Sequence, residues 1–482
     1  MTTAETYGLV RYDNFPITQT HPSRLYALGK LVGMNPAPPG RCRMLEIGSS
    51  EGVNLIPLAH RFPDSEFVGF DVAAEPIERG LAFAKEFGLG NLRLLTKDLL
   101  EVDLSWSGQF DYIIAHGLYG WTPPLVSDKI LEVMGTMLSP QGIGFVSYNA
   151  KPAGHIRRMV REMMLFHARG CTSPQSQAAK AGEMLALLAR QRTPQQVQRM
   201  DAYDAVLVAH AIDLLHTASP NQLIHDDMAP VYDPPSVAEF IAHAHRHNLQ
   251  YLDDAGTPDP RPAGPAAQGL DEATVQRLLT MAAGDRVAEL QYYDYLRMRR
   301  FRQSLVCRAV GITLDQDWLP ERAAGLYAST QLTEAGKGIF VKDDFRMQST
   351  HPQPLAYLRR LIALWPESAM VTAEDSSVAL ALFRSGAIDF HGAPALAIRF
   401  DPHALPCADP MIRFQSQRAA PRLTTGWHEP LEVDEEMRRL LPFVDGTRDC
   451  AALAGLVGSD AATVMSQLQE LAGHAVLVNP PR

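Results

Sequence analysis

Over the first third of the chain, short apolar runs alternate with stretches whose apolar positions recur at helical spacing. Cys42–Ile47, Glu66–Asp71, Leu92–Asp98, Gln109–His116 and Gly142–Asn149 read as buried strands, and Val53–Phe62, Glu75–Phe87 and Pro124–Leu138 as the helices between them. Strictly alternating strand and helix predicts a parallel, Rossmann-like α/β sheet. Helices then follow one another at Ile156–Arg169, Gln175–Arg190 and Gln195–Leu215. The last two strands are postponed to Leu249–Leu252 and Phe301–Arg308, which makes residues about 170–300 a helical cap inserted over the ligand face of a first domain, 1–310. Shorter pieces, among them Thr372–Ser385, Ala387–His391 and Leu396–Phe400, predict a smaller α+β domain over 311–425. Residues 426–482 carry helices at Glu432–Pro442, Asp449–Val457 and Ala461–Ala472 and a terminal strand at Ala475–Val478, the order of a winged helix.

The stretch Arg43–Asn54 decides which ligand the sheet holds. Gly48 and Gly52 let the chain turn from the first strand into a helix, a nucleotide-type cradle. A pyrophosphate there would be repelled by Glu46 before the loop and Glu51 within it, and Gly-x-x-x-Gly is not the dinucleotide spacing. A cationic nucleoside fits better, and S-adenosylmethionine, with its sulfonium and α-ammonium, is such a ligand. Asp71, about 20 residues beyond the glycines and ending the second strand, is placed to accept the ribose hydroxyls. Asp98 ends the third and is placed for the adenine amino group. The segment Tyr12–Pro22, rich in aromatic, amide and hydroxyl groups, is either a lid on the cofactor or an arm packed on the sheet.

Composition narrows the class. At 482 residues the chain exceeds one ordinary core, and its 46% hydrophobic and 20% charged content is that of a globular protein. A net charge of -10 argues against phosphate-driven nucleic-acid binding, and the candidate recognition helix Ala461–Ala472 has no basic residue, so protein or peptide docking is expected of the winged helix. Five cysteines without metal-type spacing, no basic leader with an apolar run and no long apolar stretch predict a cytoplasmic protein that does not insert in membranes. His243, His245 and His247 sit close together, but with no cysteine or further ligand pair in the sequence and Arg246 among them, no metal is expected. Arg297, Arg299, Arg300 and Arg302 read as a solvated basic face.

The combination of Thr18–Leu25, Leu45–Gly48 with Asn54–Pro57, Tyr112–Trp121 and Val146–Asn149 resembles bacterial class I methyltransferases with a methyltransferase regulatory domain. The best-known of these are the protein-lysine methyltransferases of rickettsial outer-membrane proteins. The likeness extends over nearly the whole chain, including Phe240–Ala255 and Gln291–Cys307. It implies S-adenosylmethionine as cofactor and a lysine of a protein or peptide as acceptor, an outer-membrane protein before export being one such acceptor. Ser49-Ser-Glu51 and Lys151-Pro-Ala-Gly depart from the family's pattern.

Glu46, Gly48, Ser49, Ser50, Gly52, Asn54, Asp71 and Asp98, with Gln19 and His21 from the arm, are therefore the candidate cofactor residues. For transfer to an amine the nitrogen must be neutral, and a free lysine has a pKa near 10.4. An aromatic slot built from Tyr12, Tyr119, Trp121 and Tyr148 would favour that form by desolvation, with His116 and Asn149 orienting the amine or relaying its proton. Two other readings stay open: a natural-product methyltransferase whose cap encloses a small acceptor, and a cofactor-binding regulator without turnover.

Overall fold

The computed structural model describes residues 11–12, 14–190, 200–256, 270–315 and 317–480. Seven strands form the central sheet: β1 (Arg43–Ile47), β2 (Glu66–Asp71), β3 (Leu92–Thr96), β4 (Phe110–Ala115), β5 (Leu138–Asn149), β6 (Leu249–Asp254) and β7 (Phe301–Arg308). Their order is β3-β2-β1-β4-β5-β7-β6, with the first five parallel and β7 antiparallel to both its neighbours. The postponed strands thus close the sheet as predicted.

Each inner strand feeds two layers because neighbouring side chains point to opposite faces. On β1, Met44 joins a core with Leu25, Leu55, Phe67 and Tyr112, whereas Leu45 joins Ile113, Val146 and Phe240 on the other side. The first of these cores continues into the middle segment through Trp318, Leu326, Phe340 and Phe390, so that segment is fastened to one face of the sheet. It consists of β8 (Tyr327–Ser329) flanked by β12 (Ala369–Met370) and β13 (Asp389–His391), an antiparallel sheet of β9 (Thr333–Gly336), β10 (Ile339–Lys342) and β11 (Phe345–Gln348), and helices Pro352–Leu364 and Ser376–Arg384.

The C-terminal unit has its own core, with Leu440, Leu453, Val464 and Leu468 at its centre. Helices Glu435–Leu440, Cys450–Val457 and Ala461–Gly473 surround it, and β14 (Leu423–Thr424) and β15 (Pro430–Leu431) supply a short hairpin. Helices Gly154–His167, Pro174–Leu188 and Ala202–Thr217 form a further small core around Val160, Met164, Leu185 and Leu214.

Three expectations change. Leu396–Phe400 and Ala475–Val478 are not strands; Ala397 and Val478 meet only as an isolated bridge. The Gln195–Leu215 helix is observed from Ala202, and the part of that expectation over 195–199 lies outside the described residues. Finally, the arginine run is not one solvated face: Arg302 is buried in a bidentate pair with Asp294 (2.7 and 2.8 Å), and Arg299 reaches the buried Asp254 at 3.0 Å. Among the described residues no helix is long and apolar enough to cross a membrane.

Candidate active site

The carboxyl ends of β1 to β5 open into one cavity of about 900 Å³, within the range that holds whole small-molecule ligands. Sheet order arranges its lining: Asp98 follows β3, Asp71 ends β2, Glu46 lies on β1, His116 follows β4 and Asn149 ends β5. Gly48 and Gly52 take positive φ values of 73° and 72°, and the turn they allow places Ser49 and Ser50 in the wall. Asp71 receives the backbone N–H of Ser50 at 3.0 Å and of Ala73 at 2.9 Å, one on each carboxylate oxygen, which fixes its plane and leaves further lone pairs for a ligand. Asp98 caps the short turn Leu99–Glu101 by accepting from Leu100 N.

Glu46 is the informative group here. Its Oε1 accepts from Asn54 Nδ2 at 3.0 Å, whereas its buried Oε2 and the buried Ser49 Oγ have no hydrogen-bond partner among the described residues. Burial pushes the Glu46 carboxyl up to about 8, with the Asn54 bond opposing and Asp71 adding to the rise. An unsatisfied acid at that depth is costly unless a donor or cation completes it, and a ligand ammonium would do so. The residues present therefore fit a cationic nucleoside. Glu51, expected to share this charge, is instead paired: Arg11 and Arg79 hold it at 3.0 and 2.8 Å.

Asn54 ties two distant parts of the chain to Glu46. Its Oδ1 accepts from Ile17 N at 3.0 Å and from His428 Nε2 at 2.7 Å, so the imidazole proton sits on Nε2. Burial holds His428 neutral, with its pKa lowered to about 3. A buried histidine preceding β15 thus braces Glu46 through Asn54 from the other end of the sequence, and nothing in its local sequence marks it. Replacing His428 with alanine should weaken binding of S-adenosylhomocysteine about tenfold although the side chain lies outside the cavity, a loss of about 1.4 kcal/mol readable by titration calorimetry.

Along the arm, Tyr12, Asn14, Phe15 and Ile17 all line the cavity, and Asn14 Nδ2 donates to Ser50 Oγ at 2.9 Å. The arm crosses the glycine loop. Gln19 and His21, however, are not in the wall: Gln19 receives Gln303 Nε2 at 3.4 Å, and the buried His21 accepts Ser23 N to cap helix Pro22–Leu31.

The candidate acceptor residues divide in the same way. Trp121, His116, Asn149 and Tyr12 line the cavity. Trp121 Nε1 donates to Asn149 Oδ1 at 3.0 Å, and its ring carries the Arg157 guanidinium 4.9 Å from the centroid, so one face already holds a cation. His116 bonds Ser147 Oγ at 3.0 Å, and burial lowers its pKa to about 4, leaving a neutral imidazole that does not repel an approaching ammonium. Tyr119 and Tyr148 do not reach the cavity. Tyr148 precedes Asn149 on β5 and so points to the opposite face, where it packs at 4.8 Å on Phe240 and bonds Ser304. Tyr119 packs on Tyr148 and Phe240, and its hydroxyl meets His243 Nδ1 at 2.6 Å. Both are core residues.

What the sequence did not reveal is the wall supplied by the inserted segment. A π-helical turn, Leu223–Asp227, brings Ile224, His225 and Asp226 to the cavity, a local geometry that recurs at functional sites. Asp227 holds Arg157 by two bonds of 2.7 and 2.9 Å, and that pair is neutral as a unit. Asp226, 3.5 Å from the Tyr12 hydroxyl and 4.0 Å from Arg157, sets the sign of this wall. Burial raises its carboxyl to about 6, with Arg157 pulling against that rise. The signal available was the acidic pair Asp226-Asp227 in a stretch without other charge logic. Lys151, the departing residue after Asn149, pairs with Glu239 at 2.8 Å instead of facing the cavity.

Comparison with known proteins places this geometry. A family model described as a methyltransferase domain matches residues 40–204, a predicted methyltransferase regulatory domain matches 219–308, and the PKMT C-terminal winged helix domain matches 405–476. Uncharacterized protein RP028 of Rickettsia prowazekii is 30% identical over 246 residues, covering 51% of this chain and 96% of that protein. Uncharacterized protein RP789 of the same organism is 32% identical over 305 residues, 62% of this chain; the alignment spans only about half of that relative, 52%. The structure of PKMT2 from Rickettsia typhi in complex with AdoHcy superposes with a TM-score of 0.82 at 20% identity, covering 97% of this chain and 100% of that one, a likeness of fold. The chain belongs to the class I S-adenosylmethionine-dependent methyltransferases that carry a methyltransferase regulatory domain and a C-terminal winged helix.

Proposed function

We propose that the chain methylates lysine side chains of a protein acceptor, with the cofactor held by the β1–β3 end of the cavity. Glu46 takes the α-ammonium, Asp71 the ribose hydroxyls and Asp98 the adenine amino group, with Ser49, Ser50 and the glycine-loop amides beside them. S-Adenosylmethionine supplies there an electrophilic methyl on a sulfonium that leaves as a neutral thioether. The observation that carries the acceptor reading is Asp226: a carboxylate in the same cavity as Glu46, beside the Trp121–Arg157 stack and below the Tyr12 hydroxyl. An acid in an otherwise aromatic and neutral wall attracts a lysine ammonium, accepts its hydrogen bonds and takes up a proton as the amine becomes neutral. His116 and Asn149 border the amine without adding positive charge. Arg157, locked by Asp227, keeps Asp226 ionised enough to do this near neutral pH.

The Glu46 assignment predicts a proton count. With a pKa of about 8 the free carboxyl is protonated at pH 7, and pairing with an ammonium ionises it. Cofactor binding at pH 6 to 7 should therefore release close to one proton, and affinity should rise about tenfold per pH unit in that window. Calorimetry in buffers of different ionisation enthalpy measures the release; none at pH 6.5 would remove Glu46 from the ammonium site.

Titration with S-adenosylmethionine, S-adenosylhomocysteine and NAD, followed by labelled-methyl transfer into a lysate resolved by size, tests the whole reading. Binding of the two sulfur ligands with label in protein bands supports it. Label confined to small molecules favours a natural-product acceptor, and binding without transfer favours a regulator.

A further inference from the structure

The helix Val237–Arg246 of the regulatory segment lies on the methyltransferase core through a cluster that neither the cofactor nor the acceptor uses. His243 stands in its last turn and His247, four residues on, is its C-cap, so the two lie on the same side. Each directs Nε2 at the same atom, Asp128 Oδ1, at 2.9 and 2.8 Å, and Asp128 belongs to helix Pro124–Met137. The three ligand atoms lie within 4.8 Å of one another. Sequence alone shows two histidines of a helix and no third ligand; the fold supplies it from a position 115 residues away.

The chemistry is specific. Two imidazole nitrogens and one carboxylate oxygen are the ligand set of borderline divalent cations such as Zn²⁺, whereas Mg²⁺ and Ca²⁺ take oxygen ligands. The histidine side chains are mostly covered, at 13% and 15% exposure, while Asp128 is 49% exposed, so the cluster is braced on the protein side and open to water on the other. A metal-bound histidine also needs a partner for its second ring nitrogen. His243 has one: Nδ1 lies 2.6 Å from the Tyr119 hydroxyl.

We propose that Asp128, His243 and His247 bind one Zn²⁺-class cation, with water completing its coordination, and that this ion clamps the regulatory helix onto the methyltransferase core. The clamp reaches the cavity by a short path. Tyr119 is in the same turn as Trp121, between Gly117 and the positive-φ Gly120, so an ion that orders His243 orders the turn that carries the Trp121 wall. The assignment of the cation stands on the ligand geometry and is independent of the acceptor.

The test uses the full chain stripped of metal with a chelator and then titrated with Zn²⁺ and, separately, Co²⁺. One equivalent should bind with micromolar or better affinity, and the Co²⁺ form should show the intense visible bands of a low-coordinate site with nitrogen ligands. His243→Ala and Asp128→Asn should each weaken Zn²⁺ binding at least a hundredfold, whereas His245→Ala, an exposed neighbour outside the cluster, should leave it unchanged. His247→Gln preserves a donor toward Asp128 and keeps the comparison valid if the alanine variant fails to fold. Absence of a stoichiometric Zn²⁺ site, a Co²⁺ spectrum no stronger than that of the hydrated ion, or equal affinity in the His247→Gln protein overturns the proposal.

Discussion

Replacing Asp71 with alanine should weaken S-adenosylmethionine binding about a hundredfold, because two charge-assisted hydrogen bonds of about 1.5 kcal/mol each are lost. The substitution also frees Ser50 N and Ala73 N, which Asp71 holds at 3.0 and 2.9 Å, so the glycine loop loosens with it. Asp71→Asn separates the two effects. One amide oxygen can still accept a backbone N–H, but the NH₂ group faces another donor, so this variant should recover only part of the affinity. Titration calorimetry with S-adenosylhomocysteine reads both variants, and near-native far-UV circular dichroism guards against misfolding. Unchanged affinity in Asp71→Ala would move the ribose elsewhere.

The second large effect concerns Asp226. Asp226→Asn is nearly isosteric and retains the contact to the Tyr12 hydroxyl, yet it removes the negative charge and the proton acceptor at the acceptor wall. Turnover on a protein acceptor should fall by about a hundredfold, the lower range of general acid–base effects, while cofactor affinity stays within about twofold. The pH dependence supplies a sharper reading. In the wild type, an acid titrating near 6 should appear as the lower limb of the kcat/KM profile, since protonated Asp226 neither attracts the ammonium nor accepts its proton. That limb should vanish in Asp226→Asn. A variant with full activity and the same limb would assign the acidic group elsewhere.

The cofactor side was legible because its evidence is local and ordered. Each acid lies at or within two residues of a strand's carboxyl end, the glycines follow the first strand, and a parallel sheet brings strand ends together at one edge whatever lies between them. The acceptor side was legible only in part. Trp121, His116 and Asn149 also lie at or beyond strand ends, whereas strand alternation sends Tyr148 to the face opposite Asn149 and removes it from the expected slot. Gln19 and His21 share the arm with Tyr12, yet Gln19 sits in the helical turn Thr18–Thr20 and His21 caps helix Pro22–Leu31, and neither reaches the cavity. Asp226 leaves only the acidic pair with Asp227 as a local trace, and Arg157 and His428 leave none. They come from the inserted helices and from the segment before β15, and their meaning lies in long-range contacts with Tyr12, Trp121 and Asn54 that have no periodic trace in the sequence. The histidine cluster shows the same limit: periodicity places His243 and His247 on one face, and only the tertiary fold brings Asp128 to it.

The most direct test of the account is the chemical identity of the methylated product. A protein acceptor fraction is incubated with labelled S-adenosylmethionine and the full chain, hydrolysed to amino acids and chromatographed against methyllysine, methylarginine and methyl-ester standards. Label eluting with mono-, di- or trimethyllysine, and lost when acceptor lysines are acetylated beforehand, is the predicted result. Label in methylarginine, in base-labile esters or only in small molecules would contradict it.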